Sequence, residues 1–261
     1  MTNPRLLATA TALAALLAAA GCGGNDPSTS GTTTTAAATA KPVIDTGDGG
    51  KYAPTLDPAN FVAVVDNPYF PLKPGNHWRF EGEEEGTAQV TDTLVTTETK
   101  IIGGISAVVV HDTVSEGGRL HEETFDWYAQ DKDGNVWYLG EDTKELKPDG
   151  SVKSTEGSWE HGVDGAYGGI VMPAQAKVGD PYRQEYKAGE AEDSAVVKAL
   201  DEQRTVKAGT YDKVLRTQEW SALEPDITEE KSYAPGIGEI YEESTAGEDA
   251  HSALVSFTPG S

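Results

Sequence analysis

Alternation of apolar and polar residues organises this chain from His77 onward. Trp78 and Phe80 alternate with His77, Arg79 and Glu81, the pattern of a strand with one buried face. The clearest case lies between Arg119 and Glu145. Phe125, Trp127 and Ala129 alternate with Thr124, Asp126 and Tyr128, and Val136, Trp137, Tyr138 and Leu139 return after Asp131-Lys132-Asp133-Gly134-Asn135. The Asp-Gly step predicts a hairpin turn, and aromatic residues on its two arms stabilise each other across the pair. Similar patterns predict strands at about 87–99, 105–115, 119–130, 135–142, 144–147, 151–156, 182–188, 193–206, 211–222, 228–234, 238–244 and 251–257. Residues 191–206 carry Val196, Val197 and Leu200 at helical spacing, but Ser194, Val196 and Lys198 also alternate, and the stretch is read as strand. Strands in sequence with short joins imply an antiparallel meander. The expected fold is all-β and mainly antiparallel, a curved meander sheet or half-barrel.

One stretch breaks the pattern. Residues 157–181 have no clear period and are rich in glycine. They are predicted to form a long loop, and loops of that length are uncommon in compact domains unless they bind or cover something. The loop contains Trp159, Tyr167 and the apolar run Ile170-Val171-Met172-Pro173, which must pack onto something. Either it plugs one mouth of the sheet as core, or it gates a cavity there. At least one of Trp127 and Trp137 is expected on the concave face. The candidate ligand-binding residues are therefore Trp127, Trp137, Trp159, Ile170 and Met172.

The first residues obey another rule. Arg5 precedes an unbroken run of Leu, Ala and Thr from Leu6 to Ala20, of signal-peptide rather than membrane-span length. Small residues then lead into Cys22, the single cysteine of the chain. This stretch resembles the lipobox of bacterial lipoproteins, although Ala19 stands where that family most often has Leu. The resemblance implies diacylglycerol on the Cys22 thiol and cleavage before it, with the chain exported and held on the outer face of the cell membrane. Residues 23–56 are low-complexity Gly, Ser, Thr, Ala and Pro, too poor in apolar side chains to fold. The expected organisation is a signal peptide at 1–21, a lipidated, disordered tether at 22–56 and a β domain at 57–261. Such a tether has a typical span of roughly 30 Å.

Charge narrows the partners. Asp and Glu number 43 against 20 Lys and Arg, a formal net charge of −23. That excess argues against nucleic acid and against an electrostatic grip on anionic headgroups.

Chemistry-bearing motifs are sparse. Asp131, Asp133 and Asn135 space three oxygen ligands like the start of a calcium loop, but the distal Glu of such a loop is missing and the same residues make an ordinary turn. The five histidines form no zinc pair, and no nucleophile elbow or phosphate loop occurs. Glu83-Glu84-Glu85 reads as a charged hairpin turn.

The stretches DNPYFPLKPGNHWRFEG, DWYAQDKDGNVWYLGEDT, GTYDKVLRTQEW and YAPGIGEI resemble a group of mainly actinobacterial exported lipoproteins. More loosely, the Tyr-x-Pro-Gly-x-Gly turn and strand order are similar to the half-barrel of lipoprotein-carrier proteins. The first group has no established activity, so no catalytic residue carries over, and the resemblance implies a curved sheet with a partly apolar concave face. The function expected from these readings is non-enzymatic and cofactor-free: a membrane-anchored protein that binds or carries an apolar or amphipathic ligand. The alternatives are an envelope structural or interaction protein with a filled core and, more weakly, a hydrolase using scattered carboxylates and His161.

Overall fold

The computed structural model describes residues 52–261, so Cys22, the signal segment and most of the predicted tether lie outside the described residues. A short strand β1 (Phe61–Val62) follows a single 3-10 turn. The first meander contains β2 (His77–Glu84), β3 (Thr87–Ile102), β4 (Ile105–Glu116), β5 (Arg119–Asp131) and β6 (Val136–Leu146). Next come β7 (Val152–Ser154), β8 (Trp159–Glu160), β9 (Tyr167–Met172), β10 (Pro181–Arg183) and β11 (Glu185–Tyr186). A second meander ends the chain with β12 (Asp193–Val206), β13 (Gly209–Ser221), β14 (Thr228–Ala234), β15 (Gly238–Ala246) and β16 (Ala250–Thr258). The expected all-β antiparallel fold is observed, and residues 193–206 are strand.

The two meanders join where β16 pairs antiparallel with β2. On the other side, β6 pairs with β9, β9 with β11, and β10 with β12. Only Gln184 separates β10 from β11, so one extended segment touches both ends of the path. Thirteen strands thus form a nearly closed barrel. Bulges bend the long strands, between Val95 and Thr99 in β3 and at three places in β12. Such irregularities raise local twist and let a sheet curl onto itself.

The stretch 157–181 is not a structureless loop. It contributes β8 and β9, both paired with β6. Its glycines permit close approach: a Cβ on Gly169 would fall 2.3 Å from the carbonyl oxygen of Arg183, where the closing segment passes. Ile170 and Met172 are 1% and 0% exposed. They are core residues and not a lid. Met172→Asp buries an unpaired carboxylate in a strand that helps close the barrel. The expected result is a large fall in melting temperature with loss of several kcal/mol, read by thermal and urea unfolding. A near-normal melt would overturn this assignment.

Two further boundaries differ from the sequence reading. Tyr52, assigned to the tether, is 2% exposed; its hydroxyl donates to the Gly168 carbonyl at 3.0 Å and its ring meets Tyr186 edge-on. Glu83 and Glu84 belong to β2, and only Glu85 and Gly86 make the turn; Glu84 is buried.

The sheet buries apolar residues on both faces. Ile102, Ile105, Val109, Trp127, Trp137, Leu139 and Ile170 pack on one face under Leu56 and Phe61. Trp78, Phe80, Val110, Tyr128, Tyr138, Leu215, Tyr233 and Leu254 fill the other. Because side chains alternate across a strand, Tyr128 and Trp127 point in opposite directions. The face with Tyr128 is the barrel interior.

Candidate functional site

The interior changes character along the strands. In β5 the inward positions run Tyr128, Asp126, Thr124, Glu122; in β6 they run Tyr138, Glu141, Thr143; in β13 they run Leu215, Thr217, Glu219. All of these side chains are buried. One end of the interior is therefore aromatic and aliphatic, and the other is crowded with carboxyl groups. Residues 65–72 close over the apolar end: Leu72 donates its backbone N–H to Val65, and Gly236 donates to Pro68. The Trp78 indole donates to the Ile237 carbonyl at 2.8 Å, which fixes that ring against the same end.

Where the two regions meet there is a cavity of about 80 Å³. Its apolar wall includes Phe70, Leu72, Trp78, Phe80, Val110 and Tyr128, and its polar wall includes Thr91, Thr93, Asp112, Glu239, Glu242 and Ser252. Phe70 and Tyr128 meet edge-on with centroids 5.2 Å apart. Phe70, Thr91, Thr93, Glu239 and Ser252 are partly exposed, so the cavity is reached from solvent.

Several carboxyl groups of the interior hold their protons tightly. Burial raises Glu122 to about 7, with added repulsion from Asp112, Glu145 and Glu84. Burial followed by the charge of Asp112 raises Asp126 well above the usual range, although Oδ1 accepts a 2.6 Å hydrogen bond from Tyr138. Glu141, opposite Asp126 in the β5–β6 pair, is raised by burial and by Asp126, and Glu185 on the closing segment by burial and by Asp193. Beside the cavity, burial and Glu242 raise Glu239. A buried cation faces this acidity: Lys231 lies 3.3 Å from Glu219 and 3.1 Å from Glu242. Burial disfavours its charge, but Glu219 and Glu242 outweigh that and lift its pKa well above the ordinary lysine value.

The predicted site residues lie elsewhere. Trp127 and Trp137 are on the face opposite the cavity; Lys100 sits over the Trp127 ring, and Phe61 meets Trp137. Ile170 packs with them. Trp159 and Met172 belong to the interior cluster, Trp159 edge-on to Tyr138, but neither lines the cavity. The cavity's tryptophan is Trp78, which sequence reasoning had placed only on a half-buried strand. The buried acids were also missed, since acidic residues in alternation normally mark the solvent face.

The acidic hairpin is built as a turn. Oδ1 of Asp131 accepts from the backbone N–H groups of Asp133 and Asn135, and Oδ2 from the Asn135 amide and the Trp137 indole, all at 2.8–3.0 Å. Asn135 Oδ1 accepts from Ala174 N–H at 2.9 Å, and Gly134 takes the positive φ of 95° that the turn needs. These donors engage the side-chain oxygens of Asp131 and Asn135, while Asp133 is exposed. No group of three or more His, Cys, Asp or Glu side chains placed to hold a metal ion occurs among the described residues. His161 is also committed structurally: its Nδ1 accepts from Gly168 N–H at 3.0 Å, and burial lowers its pKa.

Fold and site together define an antiparallel β-barrel with an acidic interior and one cavity-lined apolar end. No family model matches the chain, and no curated protein matches it. Among solved structures, it is similar to a presumed exported protein with a YmcC-like fold from Bacteroides fragilis, at 17% identity and a TM-score of 0.44, covering 73% of this chain and 99% of that one. It is also similar to a presumed lipoprotein from Parabacteroides distasonis, at 13% identity and a TM-score of 0.35, covering 74% of this chain and 99% of that one.

Proposed function

We propose that this chain is an exported, lipid-anchored binding protein, tethered through Cys22, whose barrel holds the compact end of an amphipathic ligand. The observation that carries this reading is the solvent-reached cavity with an aromatic wall facing a carboxyl-lined one. Its volume is about 80 Å³, roughly half of the ~150 Å³ cavity that accommodates benzene. The occupant is therefore a short or branched group, with the rest of the ligand outside the mouth. A whole long-chain lipid does not fit in it. No reaction is assigned. The second reading is a structural envelope protein, and it is favoured by the otherwise filled interior around Tyr138, Met172 and Leu215.

Native mass spectrometry of the protein from its own host would show a carried ligand directly. A variant adds the control. Thr93 lines the cavity and is partly exposed, so Thr93→Trp should fill the space with little cost to the fold. Ligand retention should fall by about tenfold or more, with an almost unchanged melt. Equal retention by both proteins would place the ligand elsewhere, and a bare wild-type protein would favour the structural reading.

A further inference from the structure

We infer that residues 181–186 are an acid-held latch on the barrel, shut at low pH and opening more often as pH rises. The latch stands apart from the cavity and needs no ligand. This segment closes the strand path, and it does so with little backbone. Pro181, Tyr182 and Arg183 pair with Val196, Ala195 and Ser194 of β12, and Glu185 and Tyr186 pair with Gly168 and Tyr167 of β9. Gln184 adds a hydrogen bond from its N–H to the Asp193 carbonyl at 2.9 Å. At the other junction β2 and β16 pair from end to end. Short pairings open locally at a lower free energy than the global transition. Each opening here makes a way into the barrel between β9 and β12.

What the segment carries inward makes that opening sensitive to pH. Glu185 is 0% exposed, and carboxyl groups from three other strands face it: Asp193 of β12, Glu141 of β6 and Asp126 of β5. The indole of Trp159 and the phenol of Tyr138 face it too. Behind Asp193 lie Lys231, which favours its charge, and Glu219, which opposes it. Arg183, on the latch itself, sets its guanidinium carbon 5.5 Å from the Tyr52 ring centroid and 5.0 Å from that of Tyr186. Protonated, Glu185 sits among the other carboxyl groups without repulsion. Ionised, it is a desolvated charge beside like charges, which disfavours the closed form. Burial and then Asp193 hold its pKa well above the carboxylate range while the barrel is closed. An open latch returns Glu185 to water and to its ordinary pKa, so opening releases a proton. The equilibrium then shifts toward the open form by about tenfold per pH unit for each proton released. Tyr182, buried against Ala195 and Val197, holds the latch by apolar contact at every pH, so the open form stays a minor state.

The test is hydrogen exchange of the whole chain in non-ionic micelles at pH 6 and pH 8, corrected for intrinsic amide rates. It is read in the peptides covering residues 182–186 and 77–84. The opening constant of the latch peptide should rise about 100-fold between the two pH values, and about 1 M urea should leave it unchanged. The β2 peptide should exchange more slowly and speed up in urea, as global unfolding requires. Glu185→Gln keeps the shape of the side chain without its proton and should cut the rise to about tenfold or less. Asp193→Asn, which removes the nearest like charge, should reduce the rise as well and stands in if Glu185→Gln fails to fold. A latch peptide that opens equally at pH 6 and pH 8, or that exchanges in step with the β2 peptide at each urea concentration, overturns the inference. An unchanged rise in a folded Glu185→Gln protein overturns it too.

Discussion

Lys231→Met should cost about 3–5 kcal/mol at pH 8, the usual penalty for removing one partner from a buried ion pair. Lys231 is 5% exposed, and it holds Glu219 and Glu242, which are 6% and 3% exposed. Glu219 has further donors: Gln184 at 3.0 Å, Thr217 at 2.7 Å and Tyr233 at 3.4 Å. Glu242 has Lys231 as its charged partner and takes the larger share of the damage. Its pKa is raised by burial even with the lysine present, so without it the carboxyl takes a proton more readily. The penalty should therefore shrink at pH 5. Lys231→Met with Glu242→Gln should recover part of the loss at pH 8. Urea unfolding of the single and double variants at both pH values measures each term. A single-variant loss below about 1 kcal/mol would show that the pair carries little of the barrel's stability.

Stability should fall as pH rises from 5 to 8, and Glu122→Gln should remove a defined part of that fall. Glu122 rises from 4.5 to about 7 on folding, so the folded state binds its proton more tightly than the unfolded chain does. The stabilisation is complete below pH 4.5 and is lost as pH climbs through about 7. At 1.36 kcal/mol per unit, the loss is about 3 kcal/mol. Asp126, Glu141, Glu185 and Glu239 shift in the same direction and extend the fall to higher pH. The Gln variant keeps the shape of the side chain without a titrating proton. It should match wild type to within about 1 kcal/mol at pH 5 and exceed it by up to about 3 kcal/mol at pH 8. Guanidinium unfolding across this range reads the difference. A wild-type stability that rises with pH would contradict the buried-acid assignment.

The strand pattern was legible because alternation is local. The β5–β6 hairpin, its Asp-Gly turn and the strand at 193–206 each follow from residues within a few positions of one another. The direction of the faces was not. At least one of Trp127 and Trp137 was expected on the concave side because the two flank a tight turn on paired strands; both lie on the opposite face. In β5 and β6 both faces are buried, and the outer one is covered by Leu56 and Phe61, which lie far away in sequence. No local period reports such a cover. The stretch 157–181 misled for a related reason: glycine suggests mobility along the chain, but Gly168 and Gly169 let β9 run between Tyr138 and the Arg183–Gln184 backbone.

The sequence by itself determined an all-β antiparallel chain, the positions of most strands and turns, and a strongly acidic balance. Tertiary structure decided that the sheet nearly closes, since that depends on residues 181–186 pairing with β9 and β12 at once. Closure then decided which face became the interior. It enclosed Glu122, Asp126, Glu141 and Glu185, which alternation alone would have left in water, and set Trp78, Tyr128 and Glu239 around one cavity. The physical reason is range: backbone alternation is encoded by neighbours, whereas burial of a charge depends on strands brought together from opposite ends of the chain.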